Sequence, residues 1–371
     1  MTEVMAVVDL QFGSTGKGQI CGTLGYQWGP DTVATAWGPN AGHTFRRDGK
    51  TWVHRMLSVA ALAPSVEDIL IGPGSVVDLD RLAQEIHLAT AELRGKHLVI
   101  HPQAALLRDH HVAAEQHLVK IGSTMKGTAE AAIEKMRRKA VDAATAGLSH
   151  GWVQAMLGDS LYEANMSLSI SSLQYDEAID ASDKLLLEGA QGYSLGIHTD
   201  FYPYTTSRDV STAQLLADCR VPFPRKHDRF RVMGVCRTYP IRVANRSENG
   251  TQVGTSGPCY PDQKEITWQE LGREPELTTV TKLPRRVFTF SHQQVAEAAR
   301  VCGVNTVALT FCDYLPDTGV LQTMINDIDM LLPGSARVRL TSHGPNMEDV
   351  KCWDSLQNRV TSGWPEQLED W

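Results

Sequence analysis

An α/β fold with a mostly parallel central sheet, helices on its faces and a P-loop-like phosphate site is what this sequence predicts, on three observations. Short apolar runs at 5–8, 33–36, 68–71, 98–100, 185–187, 231–236 and 306–311 read as buried strands, with helical patterns between several of them. That alternation favours parallel strands, because parallel neighbours need a crossover and the crossover helices cover the sheet. The first run, Met5-Ala6-Val7-Val8, leads into Gln11-Phe12-Gly13-Ser14-Thr15-Gly16-Lys17-Gly18, and the second, Thr32-Val33-Ala34-Thr35-Ala36, into Trp37-Gly38-Pro39-Asn40-Ala41-Gly42-His43-Thr44. In an open parallel sheet, successive strand ends of this kind open onto one crevice.

The first turn reads as strand, tight loop and then helix from Ile20 to Tyr26. That geometry aims backbone N–H groups and a helix N-terminus at one point, which suits a phosphate. Gly13, Gly16 and Gly18 let the backbone approach an anion, and Lys17 adds a point charge. The spacing G-x-x-G-K-G is shorter than a Walker loop, and Gln19 offers no hydroxyl to a metal. An ordinary glycine-rich turn is therefore the alternative. His43, in the second turn, is a proton carrier near neutrality and can donate to a developing oxyanion. A lone histidine is more often structural; two glycine-rich strand ends side by side favour a site.

Composition sets the bounds. At 371 residues the chain has room for a large core, read here as one large domain with a helical insertion around 103–180. Apolar residues at 42% and charged residues at 21% are ordinary for a globular protein. With a net charge of −8 and no basic run longer than Arg137-Arg138-Lys139, no nucleic-acid polymer is expected as a partner. Seven scattered cysteines without a C-x-x-C pair suggest reduced thiols and no structural zinc. The chain enters a strand almost at once, and no apolar run approaches membrane-spanning length, so no membrane is expected and the expected location is the cytoplasm. Asp78 to Leu93 reads as an amphipathic helix with Asp78 or Asp80 as cap; His87 and His97 read as surface residues, and His110, His111 and His117 as structural.

The two glycine-rich turns resemble those of the adenylosuccinate synthetase family, whose first reads Q-W-G-D-E-G-K-G and whose second reads N-A-G-H-T. Further matches stand in family order: Ile121-Gly122-Ser123-Thr124; Glu188-Gly189-Ala190-Gln191-Gly192; Tyr202-Pro203-Tyr204-Thr205-Thr206-Ser207; Thr278-Thr279-Val280-Thr281 with Arg285-Arg286; and Ser342-His343-Gly344-Pro345. Together they span positions 11 to 345. The main departure is Ser14-Thr15 where the family has aspartate and glutamate, a pattern similar to the phage-encoded branch that acts on dGMP instead of IMP.

The resemblance implies a ligase that joins L-aspartate to the 6-position of a purine nucleotide at the expense of a nucleoside triphosphate. It implies Ser14, Lys17 and His43 as catalytic residues, with Mg²⁺ at Ser14 and Gly42. Nucleotide and phosphate contacts are implied for Gly13, Thr15, Gly16, Gly18, Asn40, Ser123, Thr124, Gln191, Thr206 and Val243. Arg138 is implied to reach the phosphate in a neighbouring subunit, hence a homodimer. The polar, glycine-rich stretch 245–284 corresponds to a loop that closes over aspartate, with Thr279, Val280, Thr281, Lys282, Arg285 and Arg286 as its binding residues. Asp313, Ser342, Gly344 and Pro345 flank the donor base. The family lysine two residues before Asp313 is absent, which favours ATP or dATP over GTP as donor. From the residues alone, Ser123-Thr124-Met125-Lys126-Gly127 reads equally as a capped loop, and Tyr202-Pro203 as a proline turn. Three rivals stand beside the dGMP reading: an IMP-using synthetase, a non-catalytic nucleotide-binding paralogue and, weakest, a dinucleotide-binding dehydrogenase.

Overall fold

The computed structural model describes residues 2–115, 125–139, 150–224, 229–248, 251–278, 283–354, 359–361 and 363–364. Its frame is an eleven-stranded sheet in the order Arg359–Thr361, Val350–Asp354, Arg337–Ser342, Thr306–Thr310, Arg229–Arg237, Glu3–Asp9, Lys184–Glu188, Thr32–Thr35, Asp68–Ile71, His97–Ile100 and Ser167–Ile170. Val350–Asp354 pairs antiparallel with both of its neighbours, and every other pair in the sheet is parallel. All seven apolar runs expected to be strands lie in this sheet.

Glu3–Asp9 sits at the centre, parallel to Lys184–Glu188 on one side and Arg229–Arg237 on the other. Its residues alternate between two cores: Met5 and Val7 pack on one face, Ala6 and Val8 on the other. Burial on both faces is why these strands read as unbroken apolar runs. From the centre, the chain builds outward in one direction through Thr32–Thr35, Asp68–Ile71 and His97–Ile100, and in the other through Arg229–Arg237, Thr306–Thr310 and Arg337–Ser342. The order reverses around Glu3–Asp9, and the crevice beyond the carboxyl ends of strands at such a reversal is where ligands bind in open α/β sheets.

Four strands were not expected. Ser167–Ile170 and Arg337–Ser342 alternate polar and apolar residues, so neither shows an apolar run. Val350–Asp354 and Arg359–Thr361 finish the sheet with material that reads as a polar tail, and Trp353 is buried there. The stretch 103–180 carries the helices Asp109–Ala114, Thr128–Met136, His150–Glu163 and Ser172–Ala181. It also supplies Ser167–Ile170, the outermost strand, so part of it belongs to the sheet. His117 lies outside the described residues. The helix expected over 78–93 spans Leu79–Leu88, with the Asp78 carboxylate accepting from Arg81 N at 3.1 Å. Thr90 Oγ1 takes the carbonyls of Ile86 and His87 at its end, competing for the helix's own bonds. His87 is exposed, whereas His97 is half-buried in its strand between Asp68 and Ser169. The stretch 245–284 is not merely a loop: it holds the hairpin Arg246–Glu248/Thr251–Gly254 and contributes Glu265–Ile266 to a three-stranded sheet with Ile241–Arg242 and Arg286–Phe288.

The helix Lys17–Gln27 is pressed onto the hairpin His43–Arg47/Lys50–His54 by Phe45, whose buried ring stacks against Tyr26 and Trp52 at 5.8 and 6.0 Å. Gly22 makes this fit, since a Cβ there would lie 2.2 Å from Phe45 Cδ2. Gly22→Ala, which in an exposed helix would gain about 1 kcal/mol, is expected to lower stability by roughly 2 kcal/mol in chemical denaturation. Unchanged or increased stability would contradict the fit.

Candidate active site

The site grows from the carboxyl ends of the central strands, where Asp9, Glu188, Arg237 and Thr310 stand. Asp9 is buried at the last position of its strand, and its carboxylate collects four donors from the turn that follows. Oδ1 accepts from the amides of Gln11 (2.8 Å) and Gly13 (3.2 Å), and Oδ2 from Thr15 Oγ1 (2.5 Å) and Lys17 Nζ (2.9 Å). A buried carboxylate requires such partners, and here they bend the chain around it. Gly13, Ser14 and Gly16 take up positive φ angles of 82°, 54° and 82° in that bend. The carboxylate thus draws the first amides of the turn inward, while the turn from Ser14 to Gly18 leads into the N-terminus of the helix Lys17–Gln27.

Close packing locks the other strand ends onto this turn. Lys17 Nζ also donates to Gln191 O at 2.9 Å, so the lysine bridges the turn to Glu188-Gly189-Ala190-Gln191-Gly192. A Cβ on Gly192 would fall 2.2 Å from Gly13 N, and one on Gly18 would fall 2.9 Å from His43 Cβ. Thr310 Oγ1 donates to Thr15 O at 2.6 Å. The three expected loops therefore meet, as the parallel-sheet argument required.

His43 is buried, with Nδ1 2.5 Å from Glu188 Oε1 and its ring edge-on to Trp37 at 4.3 Å. The other oxygen of Glu188 accepts from Ser58 Oγ at 2.5 Å and Val59 N at 3.0 Å. Held this way the carboxylate fixes the imidazole with Nδ1 as donor, and Nε2 is left without a partner among the described residues. Such a ring, when protonated, offers one directed N–H to a ligand.

At Trp37, against which the His43 ring packs, opens a cleft lined also by Asn40, Gln191, Thr206, Ser207 and Arg208 together with Thr128 and Ala132 of the helix Thr128–Met136. Asn40, Gln191 and Thr206, named from the sequence as nucleotide contacts, are thus brought together. Burial pushes the Arg208 guanidinium down while Asp218 holds it up. Arg138, just past that helix, is exposed with φ 58°, and its guanidinium makes no hydrogen bond among the described residues. Ser14 and Gly42 are exposed, and Val243 is half-buried after Ile241–Arg242.

On the far side lies a cationic group that the sequence reading did not single out. Arg237, fully buried, stacks its guanidinium 3.7 Å above the Phe311 ring, donates to Ser14 O at 3.0 Å and forks onto Glu276. Arg285 is half-buried, and its guanidinium has no hydrogen bond among the described residues; burial and the neighbouring Arg237 push its pKa down while Glu276 pulls it up. Arg286, named with Arg285 for the carboxylates of aspartate, is bound to Glu265, Ser256 Oγ and Gly257 O. Arg242 lies 4.4 Å over Phe12, and burial brings its pKa down to about 9. Asp313 is held by Arg273 at 3.7 Å. Ser342, His343 and Gly344 turn back on Asp349 nearby, and burial pushes the His343 imidazole down; Pro345 is exposed. Ser123, Thr124, Thr279, Val280, Thr281 and Lys282 lie outside the described residues.

Of the residues missed, Asp9 left a signal, an acid closing an apolar strand, whereas Arg237 and Glu276 left none that a local pattern reveals.

The family model for adenylosuccinate synthetase matches residues 6–167 and 157–362. The N6-succino-2-amino-2'-deoxyadenylate synthase of Salmonella phage PMBT28 is 42% identical over 93% of this chain and 96% of its own length. That of Vibrio phage phiVC8 is 38% identical over 96% and 100%. Among solved structures, the cyanophage S-2L succinoaminodeoxyadenylate synthetase, bound to dGMP and to dATP as an energy donor, superposes with a TM-score of 0.83 at 38% identity, covering 97% of this chain and 100% of that one. Fully ligated adenylosuccinate synthetase from Plasmodium falciparum shares the fold at a TM-score of 0.71 and 19% identity, over 95% of this chain and 100% of its own. This chain belongs to the adenylosuccinate synthetase family.

Proposed function

We propose that the protein is a carbon–nitrogen ligase that joins L-aspartate to the purine 6-position of dGMP, giving 2-amino-2'-deoxy-N6-succinyladenylate for 2-aminoadenine in DNA. The observation that carries this reading is the match, over nearly the whole chain, to a synthetase solved with dGMP and dATP. In two steps, the γ-phosphoryl group of a nucleoside triphosphate passes to the purine 6-oxygen, with the nucleoside diphosphate leaving and the N1 proton of the purine released. The amine of aspartate then attacks C6, phosphate leaves with that oxygen, and the amine loses a proton.

Phosphoryl transfer is chiefly positioning and charge neutralisation. The turn Ser14–Gly18 and the following helix N-terminus supply backbone donors, Lys17 the fixed cation, and His43, oriented by Glu188, a donor at Nε2. The cleft with Asn40, Gln191 and Thr206 suits the purine nucleotide, and Arg285 suits a carboxylate of aspartate. The cyanophage S-2L synthetase was solved with dATP as an energy donor, and we read ATP or dATP as the donor here. Mg²⁺ fits the donor chemistry at Ser14 and Gly42, whose hydroxyl and carbonyl are exposed hard oxygens. Both are uncharged, so the ion would rest on the phosphates of the nucleotide and supply charge neutralisation there. A homodimer is supported by exposed Arg138, available to a neighbouring copy. Among the described residues no helix is long and apolar enough to cross a membrane; we read the location as the cytoplasm of a host cell.

Ser14 stands where the family has an acid, and a serine at its ordinary pKa is no general base. A small neutral side chain leaves room beside N1 for the 2-amino group of guanine. Ser14→Asp is therefore expected to move preference from dGMP towards IMP, read as the ratio of kcat/KM values; an unchanged ratio rejects this role. Lys17→Ala and His43→Asn are each expected to lower kcat by about 100-fold or more. Glu188→Gln, which keeps the shape but not the charge, should lower kcat about tenfold with KM for dGMP little changed. Activity within a few-fold of wild type in His43→Asn would remove the histidine from the reaction.

A further inference from the structure

The segment that carries Arg285 is held by backbone pairing on both sides: Trp268 Nε1 donates to Arg285 O at 2.7 Å, and Arg286–Phe288 follows as a sheet strand. Thr278 N donates to Leu283 O at 2.8 Å, Leu283 N to Thr278 Oγ1 at 3.1 Å, and Arg285 N to Glu276 O at 2.8 Å. Glu276 and Arg285 thus face each other across these backbone hydrogen bonds. The Glu276 side chain receives both terminal nitrogens of Arg237, whose Nη1 also holds Ser14 O at 3.0 Å. Tyr314 OH adds a bond to Glu276 at 3.3 Å. A continuous path therefore runs from the Ser14 carbonyl through the Arg237 guanidinium and Glu276 to the backbone of Arg285.

Arg237 cannot move independently of this path. It is fully buried, stacked on Phe311, and its own backbone is bonded in both directions to the Gln11 side chain at 2.9 and 3.1 Å. Glu276 has 27% of its side-chain surface exposed, so it is the movable end of the fork. A planar two-point fork fixes angle as well as distance, which a single bond would not do.

We propose that Glu276 is a positioning residue that registers Arg285 against the phosphate turn, so that a carboxylate held by Arg285 presents its amine to the nucleotide bound beside Ser14. This rests on the reading that L-aspartate is the co-substrate and that Arg285 receives one of its carboxylates. Glu276 itself touches no substrate. Its effect falls on the amino acid and not on the purine nucleotide, for which the cleft at Asn40, Gln191 and Thr206 shares no lining residue with the Glu276 path.

The test is steady-state kinetics of the full-length protein with Mg²⁺, ATP or dATP, dGMP and varied L-aspartate, comparing wild type, Glu276→Gln and Glu276→Asp, with melting temperatures alongside. Expected is a rise in KM for L-aspartate of tenfold or more in Glu276→Gln. KM for dGMP should stay within twofold, kcat within about threefold and the melting temperature near that of wild type, with partial recovery in Glu276→Asp. An unchanged or lower KM for L-aspartate in an active Glu276→Gln enzyme would overturn the proposal alone. So would parallel rises in both KM values with a fall in melting temperature, the mark of general damage. A wild-type protein that consumes no L-aspartate would overturn the functional reading, and this inference with it.

Discussion

A carboxylate buried at the end of the central strand is the contact on which the rest of the site depends. A carboxylate in the sheet interior is costly without donors, and the chain supplies four to Asp9 from the next eight residues. Meeting that demand folds the glycine-rich turn, sets its left-handed residues and holds Lys17 at a defined place. Through Lys17 the constraint passes to Gln191, and the same loop begins at Glu188, which orients His43. Strand, turn, lysine and imidazole are tied together by these contacts.

The second constraint is the management of buried cations in a chain of net charge −8. Arg237 and Arg242 lie against aromatic rings, with carbonyls or a carboxylate on their remaining donors. Such pairings keep a guanidinium charged away from water and fix its plane. The global sign of the protein therefore says little about its site, where positive groups converge on the position expected for phosphates and carboxylates. Arg285 is less completely partnered than these, with no hydrogen bond to its guanidinium among the described residues.

How much of this was legible in the sequence follows from the range of each interaction. Strands buried on both faces show as apolar runs, and turns that need positive φ show as glycines, so the sheet's seven apolar strands and the three site loops could be read directly. Arg337–Ser342 escaped because only Val338, Leu340 and Ser342 of alternate positions are buried with Thr341, leaving no run to see. The long-range partners escaped for another reason. Arg237 meets Ser14 from 223 residues away and Glu276 from 39, and nothing local in either segment encodes the pairing. Arg286 shows the same limit: its type and position suggested a ligand contact, and nothing local in the sequence told that the three-stranded sheet places Glu265 beside it. The likeness of motifs supplied function earlier than pattern did, since pattern alone left the first turn as either a phosphate site or an ordinary turn.

The most direct test of the account is the mass of the nucleotide product formed by purified protein with Mg²⁺, ATP or dATP and L-aspartate when dGMP, GMP and IMP compete in one mixture. The account predicts consumption of dGMP, release of phosphate and a product carrying the added succinyl group on a 2-aminopurine deoxynucleotide. Consumption of IMP with dGMP left intact would contradict it, and would return the protein to ordinary adenylosuccinate synthesis despite Ser14.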